Sequence, residues 1–323
     1  MTAFVAHRAL WIAIRWLTLA AGLWQASESF AAPDAAQGIA VIFPDIGEPY
    51  RSVFTQIIDG IEEQAKGHVV RVAVGANVNA QELGAQLRRQ DIHVVIALGR
   101  NGLKASAALD RDIGVVAGGV LSAPQPEARS AVVHSLAPDP ALLFARLKNL
   151  LPGARRVVVV YDPHQNDWLI RLARDAARVH GLVLVATEAE DLKTATRLYR
   201  DILAAADPAR DVLWLPQDTT TVEDSAVLPL VLQEAWNRSL PVISSSVTHV
   251  KRGALFALYP NNLALGRRLA NSALGYLSVG SAAARGVQPL TEVLLAVNVR
   301  TANHLGIDLG GRQQSFDIVF PEP

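Results

Sequence analysis

A short apolar run, then a polar loop, then a helical pattern recurs along this chain, and no other feature restricts its fold so strongly. Gly38–Phe43 (GIAVIF), His93–Leu98 (HVVIAL), Val157–Tyr161 (VVVVY) and Val212–Leu215 have strand length and are apolar almost throughout, not at alternate positions. Such strands are covered on both faces, as in a parallel sheet flanked by helices. The clearest unit is Asp211–Thr221 (DVLWLPQDTTT): Pro216 stops the strand, and Gln217, Asp218 and three threonines present polar groups where a helix should follow. In open α/β sheets ligands sit outside the carboxyl ends of the strands, so this loop is a candidate floor for a binding site.

The same reading extends in both directions. Ser52–Lys66 places Val53, Phe54, Ile57, Ile58 and Ile61 at helical spacing, and Ala80–Arg89 and Leu103–Leu109 are further helices. Val69–Val74 and Ile113–Val120 complete a first series of strands. Pro124–Ser130 and Pro138-Asp139-Pro140 mark the boundary between two lobes. The second series runs through the helices Ala141–Leu150, Trp168–His180, Leu192–Ala206 and Glu223–Arg238, the last kinked or restarted at Pro229. Its further strands are Leu182–Ala186, Pro241–Ser244 and Gly253–Leu258. Leu263–Leu277 is an amphipathic helix, Ser278–Gly286 a loop, Glu292–Asn298 a strand, Arg300–Leu305 a short helix and Phe316–Phe320 a closing edge strand. No short-period repeat indicates a solenoid.

Composition excludes several functions. With 30 basic and 30 acidic residues and no basic block, the chain lacks the clustered charge of a nucleic-acid groove. Cysteine is absent, which rules out disulfides, thiolate metal sites and a lipidated N-terminal Cys. At the N-terminus, His7, Arg8 and Arg15 precede the apolar segment Trp16–Trp24, and Ser29-Phe30-Ala31 supplies small residues for cleavage before Ala32. The expectation is a cleaved signal peptide over residues 1–31 and a periplasmic address. The alternative is a retained anchor, but Arg15 interrupts the run and a spanning helix needs about 20 apolar residues.

Motifs for catalysis do not occur: no phosphate-binding glycine loop, GxSxG elbow or HExxH. The eight histidines are scattered, and the acidic pairs fall on helices or their starts, where solvated faces and N-terminal charge explain them. The chain reads as a non-enzyme with no cofactor and no metal. What remains is a set of polar loops at strand ends. Gly99-Arg100-Asn101-Gly102 is a glycine-flanked turn before a helix, either an ordinary tight turn or a carboxylate or phosphate site clamped by Arg100. Asp45, Glu48 and Tyr50 follow the first strand, Asp162 and Asn166 the strand that opens the second lobe, and Gln217, Asp218 and Thr219 the DVLWL strand. Acidic groups here would accept hydrogen bonds from a ligand ammonium, and Tyr50 or Tyr259 would stack on a flat ligand. Each residue alone fits a helix cap or turn, Asp218 and Thr219 especially. Ser244–Ser246 is a weaker candidate. Alanine at Asp218 is expected to weaken binding with little loss of stability.

Gly253–Leu277 (GALFALYPNNLALGRRLANSALGYL) and Leu295–Ile307 (LAVNVRTANHLGI), with VVVVYDPHQN, DVLWLPQDTTT and IALGRNG in the same order, carry a resemblance. From about Ala40 to Ile307 the chain resembles the substrate-binding proteins of ABC transporters, in the tryptophan/tyrosine-binding group. The resemblance implies two doubly wound parallel-sheet lobes of the type I periplasmic-binding-protein kind, joined by a hinge near Pro138, Asn261 and Gln288. The lobes would comprise residues 36–137 with 262–287, and 138–261 with 288–323. It places Gly99, Arg100 and Asn101 in the cleft from one lobe, and Asp162, Asn166, Gln217 and Asp218 from the other. Two departures alter the pocket: Arg100 stands where the family has a small hydroxyl residue, and Gly118-Gly119-Val120-Leu121-Ser122 replaces its Asp-Pro-Val loop.

The expected function is capture of a small molecule, an amino acid or other small carboxylate, by a monomer that delivers it to an inner-membrane ABC permease. The alternative is a ligand-sensing module that docks on a membrane receptor or signalling protein.

Overall fold

The computed structural model describes residues 38–66, 69–75, 78–279, 285–310 and 315–321. The expected signal peptide, His68 and part of the 278–286 loop lie outside them.

Among the described residues thirteen strands fall into two sheets. The first contains β1 (Ile39–Pro44), β2 (Val70–Val74), β3 (Val94–Leu98), β4 (Gly114–Val120) and β5 (Val132–Pro138), connected by α1 (Tyr50–Ala65), α2 (Ala80–Arg89), α3 (Gly99–Ser106) and α4 (Gln125–Ser130). The chain then enters the second sheet through α5 (Pro140–Leu150). There β6 (Arg156–Tyr161), β7 (Val183–Glu188), β8 (Asp211–Leu215), β9 (Val242–Ser244) and β10 (Phe256–Pro260) alternate with α6 (Pro163–Val179), α7 (Leu192–Ala205), α8 (Val227–Asn237) and α9 (Val247–Arg252). The long helix α10 (Asn262–Val279) returns to the first sheet and leads to its sixth strand, β11 (Gly286–Leu290). β12 (Val293–Asn298), α11 (Val299–His304) and β13 (Ile318–Phe320) complete the second sheet.

The two sheets repeat one topology over their first five strands. Their orders are β2-β1-β3-β4-β5-β11 and β7-β6-β8-β9-β10-β12-β13, each beginning with its second strand beside its first. Pairing is parallel except between β10 and β12. In this order the connections change faces between the first and third strands, here between β1 and β3 and between β6 and β8. The cores follow suit: Ile57 and Ile61 of α1 pack on one face of the first sheet, Leu83, Leu87 and Leu103 on the other. In the second sheet Leu169 and Ile170 of α6 oppose Tyr199 of α7 and Val231 of α8. α1 and α10 meet through glycines, since a Cβ on Gly266 would lie 2.0 Å from the Ile57 carbonyl oxygen and one on Gly60 2.1 Å from that of Leu263.

Three segments cross between the sheets, after β5, β10 and β11. They are bound side by side: Asp139 N–H donates to Leu290 O (2.8 Å) and Asn261 N–H to Glu292 O (2.9 Å). Arg268 of α10 braces this hinge, donating to the Glu292 carboxylate (3.0 Å), to Thr291, to Gln288 Oε1 (3.3 Å) and to His134 Nδ1 (3.1 Å). His134 therefore carries its proton on Nε2 and donates it to Ser272 Oγ (2.8 Å). Burial, with the Arg268 charge adding to it, lowers the imidazole pKa to about 4.

Several elements differ from the sequence reading. β5 was not expected, because His134 and Ser135 interrupt its apolar run; both are buried and satisfied, Ser135 Oγ by Leu121 O at 2.6 Å. β11 contains Pro289, which an edge strand tolerates because it has no partner on one side. The short helix α9 was also unread, and α10 continues past Leu277 to Val279. The helix expected from Glu223 begins at Val227, so Pro229 lies in its first turn, where a missing N–H costs nothing.

Candidate functional site

Every crossing segment leaves or enters at the carboxyl end of a parallel strand, so the carboxyl ends of both sheets lie on the hinge side. The loops after β1 and β3 and those after β6 and β8 are the face-change points of the two sheets, where such sheets hold ligands.

At the first sheet's switch point the backbone does most of the shaping. Gly99 adopts φ +69°, a left-handed conformation that turns β3 directly into α3. Arg100 is exposed and has no ion-pair or hydrogen-bond partner among the described residues, and Asn101 is half-buried. Phe54 of α1 lies over this turn: a Cβ on Gly99 would meet its Cζ at 3.0 Å, and one on Gly119 (φ +70°) its Cε1 at 3.1 Å. Phe54 falls on the apolar stripe of α1, was not singled out in the sequence, and packs partly buried against the first core. Its ring also closes the notch between β3 and β4. Asp45 is exposed, its N–H bound to Val74 O at 2.9 Å. Tyr50 opens α1 with 65% of its surface exposed.

The second sheet's switch point is built from side chains. Asp218, 4% exposed, accepts four hydrogen bonds. Oδ2 takes Asp162 N–H (2.7 Å) and Asn166 Nδ2 (2.9 Å); Oδ1 takes the N–H groups of Thr220 (3.0 Å) and Thr221 (2.8 Å). Asp162 caps α6 through His164 N–H (2.9 Å) and His164 Nδ1 (3.1 Å), while its other oxygen accepts Gln165 Nε2 (3.0 Å) and Thr220 Oγ1 (2.8 Å). Burial pushes the Asp162 pKa up, but the hydrogen bonds from Gln165, Thr220 and His164 outweigh it and hold the group below the usual carboxylate range. Gln165 Oε1 accepts from Thr219 Oγ1 (3.1 Å), and Gln217 Nε2 donates to Ser245 O (2.8 Å), which ties the β8 loop to the β9 loop.

Thus Asp162, Asn166, Gln217, Asp218 and Thr219 come together in one network, and Gly99, Arg100 and Asn101 form the matching turn on the other sheet. Asp45 and Tyr50 follow β1, whose last residue Pro44 borders the Gly99 turn, 3.5 Å from where a Cβ on Gly99 would lie. Tyr259 packs on the second core, where burial and then the Asp317 charge raise its pKa. Gln165 and Thr220 were not singled out in the sequence, although they lie within the loops that were. With both Asp218 oxygens engaged, its expected role changes from ligand contact to positioning, and loss of its carboxylate is expected to cost stability. The groups left for a ligand are the Arg100 guanidinium, Asn101, and the amide oxygens of Asn166 and Gln217, which receive no hydrogen bond from a described residue. No cluster of three or more His, Asp or Glu suited to a metal occurs among the described residues.

A family model for ABC transporter substrate binding proteins matches residues 134–312, more than half of the chain. The chain belongs to this family. No curated protein matches its sequence. Among solved structures, a ligand-free, open substrate binding protein with adhesive properties from Clostridium difficile superposes with a TM-score of 0.61 at 18% identity, over 85% of this chain and 97% of that one. The ABC domain in complex with L-Trp from Streptococcus pneumonia gives 0.55 at 14%, over 88% and 100%. A periplasmic ribose ABC transporter protein from Conexibacter woesei gives 0.51 at 12%, over 86% and 96%. At these identities the likeness is one of fold, and the fold of this substrate-binding protein is type I periplasmic-binding-protein-like.

Proposed function

We propose that this substrate-binding protein captures a small carboxylate, an amino acid among them, between its two lobes and delivers it to an inner-membrane ABC permease. The observation that carries the reading is Arg100, an unpaired guanidinium placed by Gly99 at the first switch point. Asn166 and Gln217, on the other sheet, are held in place by Asp218 and Ser245. An arginine fork suits a carboxylate, and fixed amide oxygens suit an ammonium or hydroxyl. In this reading residues 1–31 direct export to the periplasm and are removed. Residues 36–137 with 262–287, and 138–261 with 288–323, are the two lobes, and their closure about the hinge buries the ligand.

The test is a thermal-shift and calorimetric screen of amino acids, small carboxylates and neutral sugars. A true ligand at a hundredfold excess over its Kd adds about 2.7 kcal/mol of stability. The expected result is a carboxylate hit that Arg100→Ala weakens at least about tenfold, which corresponds to about 1.4 kcal/mol. A hit among neutral sugars only, or a carboxylate hit indifferent to Arg100→Ala, would overturn the assignment.

A further inference from the structure

The second sheet carries a cavity at the end away from the hinge. Its walls are the carboxyl end of α8, the end of α9, the junction of β12 with α11, and the end of β13. α8 and α9 run back to the amino ends of β9 and β10, and β12, antiparallel to β10, ends beside Phe256. The cavity therefore lies at the pole of the second lobe, one strand length from the carboxyl ends, or about 17 Å for five residues. Its volume is about 590 Å³, within the range of small-molecule pockets.

The lining is one-sided in charge. Lys251, Arg252 and Arg300 contribute three cations, and no Asp or Glu lines the cavity. Arg252 is engaged with Asp224, donating to its carbonyl oxygen at 2.9 Å. Lys251 and Arg300 are exposed and have no carboxylate partner among the described residues. The apolar part is centred on Trp236, half-buried, with Leu232 one turn earlier on α8. The Trp236 indole is held in place: His304 stacks on it at 3.8 Å with planes 8° apart and donates from Nε2 to the Trp236 carbonyl (2.9 Å), and the Arg300 guanidinium lies 5.4 Å from the ring centroid. The inner wall is equally fixed, since Asn298 donates to Val250 O and caps Thr301 N–H, and Thr301 Oγ1 donates to Gly253 O.

We propose that this cavity is a second binding site, separate from the cleft, for a small amphipathic anion. An aromatic or acyl body would rest against Leu232 and Trp236 while a carboxylate or sulfonate is held by Arg300 and Lys251. Unpaired cations beside a rigid apolar wall select for such a ligand, and the absence of lining acids removes the competing internal partner.

The probe is 1-anilinonaphthalene-8-sulfonate, which combines both chemistries and reports on nearby tryptophan. Titrated calorimetrically and by fluorescence against the native protein, it is expected to bind saturably, one per chain. Arg300→Glu with Lys251→Glu is expected to lower affinity at least about tenfold, with Trp236→Leu reducing the tryptophan-to-dye energy transfer to what Trp168 and Trp214 supply. Arg300→Gln provides a milder charge loss should the double reversal unfold, and thermal melts verify that each variant is native. Arg100→Ala is expected to leave the titration unchanged, so this site and the proposed cleft site succeed or fail separately. Absence of saturable binding, binding unchanged in folded Arg300→Gln and in the reversal variant, or loss of binding in Arg100→Ala would each overturn the proposal.

Discussion

The two switch points occupy equivalent places in two sheets whose first five strands share one order, yet they are built by opposite means. After β6 and β8, Asp162 and Asp218 receive eight hydrogen bonds between them, all from within the loops and helix they join. After β3 there is a left-handed glycine, an arginine without a partner and an aromatic ring laid over the backbone. A buried carboxylate with every lone pair engaged fixes position and has little left to offer a ligand. An exposed guanidinium has all its donors available. The acidic loop that looks most like a binding site in sequence thus spends its carboxylates on its own backbone and side chains, and the sparse turn carries a guanidinium without a partner among the described residues.

The sharpest way to break this comparison is to remove one group from each side. Asp218→Ala strands the N–H groups of Asp162, Thr220 and Thr221 and the Asn166 amide in a buried loop. The expected loss is about 3–5 kcal/mol, since each unsatisfied buried donor costs about 1–3 kcal/mol and the loop relaxes in part. Arg100→Ala, on an exposed turn, is expected to change stability by no more than about 0.5 kcal/mol. Urea unfolding of both variants measures the contrast. Equal midpoints would mean that the Asp218 network contributes nothing to the fold.

A smaller effect separates the lobes by pH. The first lobe keeps its polar bracing at the hinge, where His134 is neutral between Arg268 and Ser272. Its pKa of about 4 lies below the ordinary histidine value, so between about pH 6.5 and 4 the unfolded chain binds the extra proton. Stability that is full above pH 6.5 is therefore lost as pH falls, by up to about 3 kcal/mol at pH 4. Protonation also converts the acceptor of the Arg268 bond into a second cation, which Glu292 offsets in part. Asp162 acts in the same direction at lower pH: hydrogen bonds depress its carboxyl pKa, so the stability it adds is present above the ordinary carboxylate value and is lost as pH falls through the lowered one. Acid unfolding of His134→Gln is expected to flatten the slope between pH 6.5 and 4, leaving the part that buried His249 contributes, and to keep the one below it. An unchanged upper slope would assign it elsewhere, His249 being the other buried imidazole with a lowered pKa.

The sequence revealed the strands that are apolar on both faces, because runs such as VVIAL and DVLWL have no solvent side. It concealed β5 and β11, one crossed by the buried His134 and Ser135 and the other broken by Pro289 at a sheet edge. Local pattern cannot signal a histidine satisfied by an arginine 134 positions away. For the site, the loops were legible because polar residues cluster after each strand, but the division of labour within them was not. Whether Asp218 faces a ligand or four backbone and amide donors depends on how β6 and β8 lie side by side, which is a tertiary fact. Phe54 was hidden for the same reason, its apolar spacing being identical to that of Ile57 and Ile61, which are core.

The least disruptive probe of the comparison is Gly99 itself. Alanine at this position has two separable costs. A side chain in the left-handed region costs about 1 kcal/mol relative to glycine, whatever surrounds it. The added Cβ would also press on Phe54 Cζ at 3.0 Å, a contact that the ring must yield to. Gly99→Ala is therefore expected to cost about 1–2 kcal/mol, and a double-mutant cycle with Phe54→Ala separates the parts. If Phe54 is seated on the turn, the cost of Gly99→Ala falls to the backbone value alone in the Phe54→Ala background, a coupling of about 0.5–1 kcal/mol. If the two changes simply add, the ring does not bear on Gly99 in solution. The first switch point would then be shaped by its backbone alone, and the notch beside Arg100 would be open for a ligand to enter.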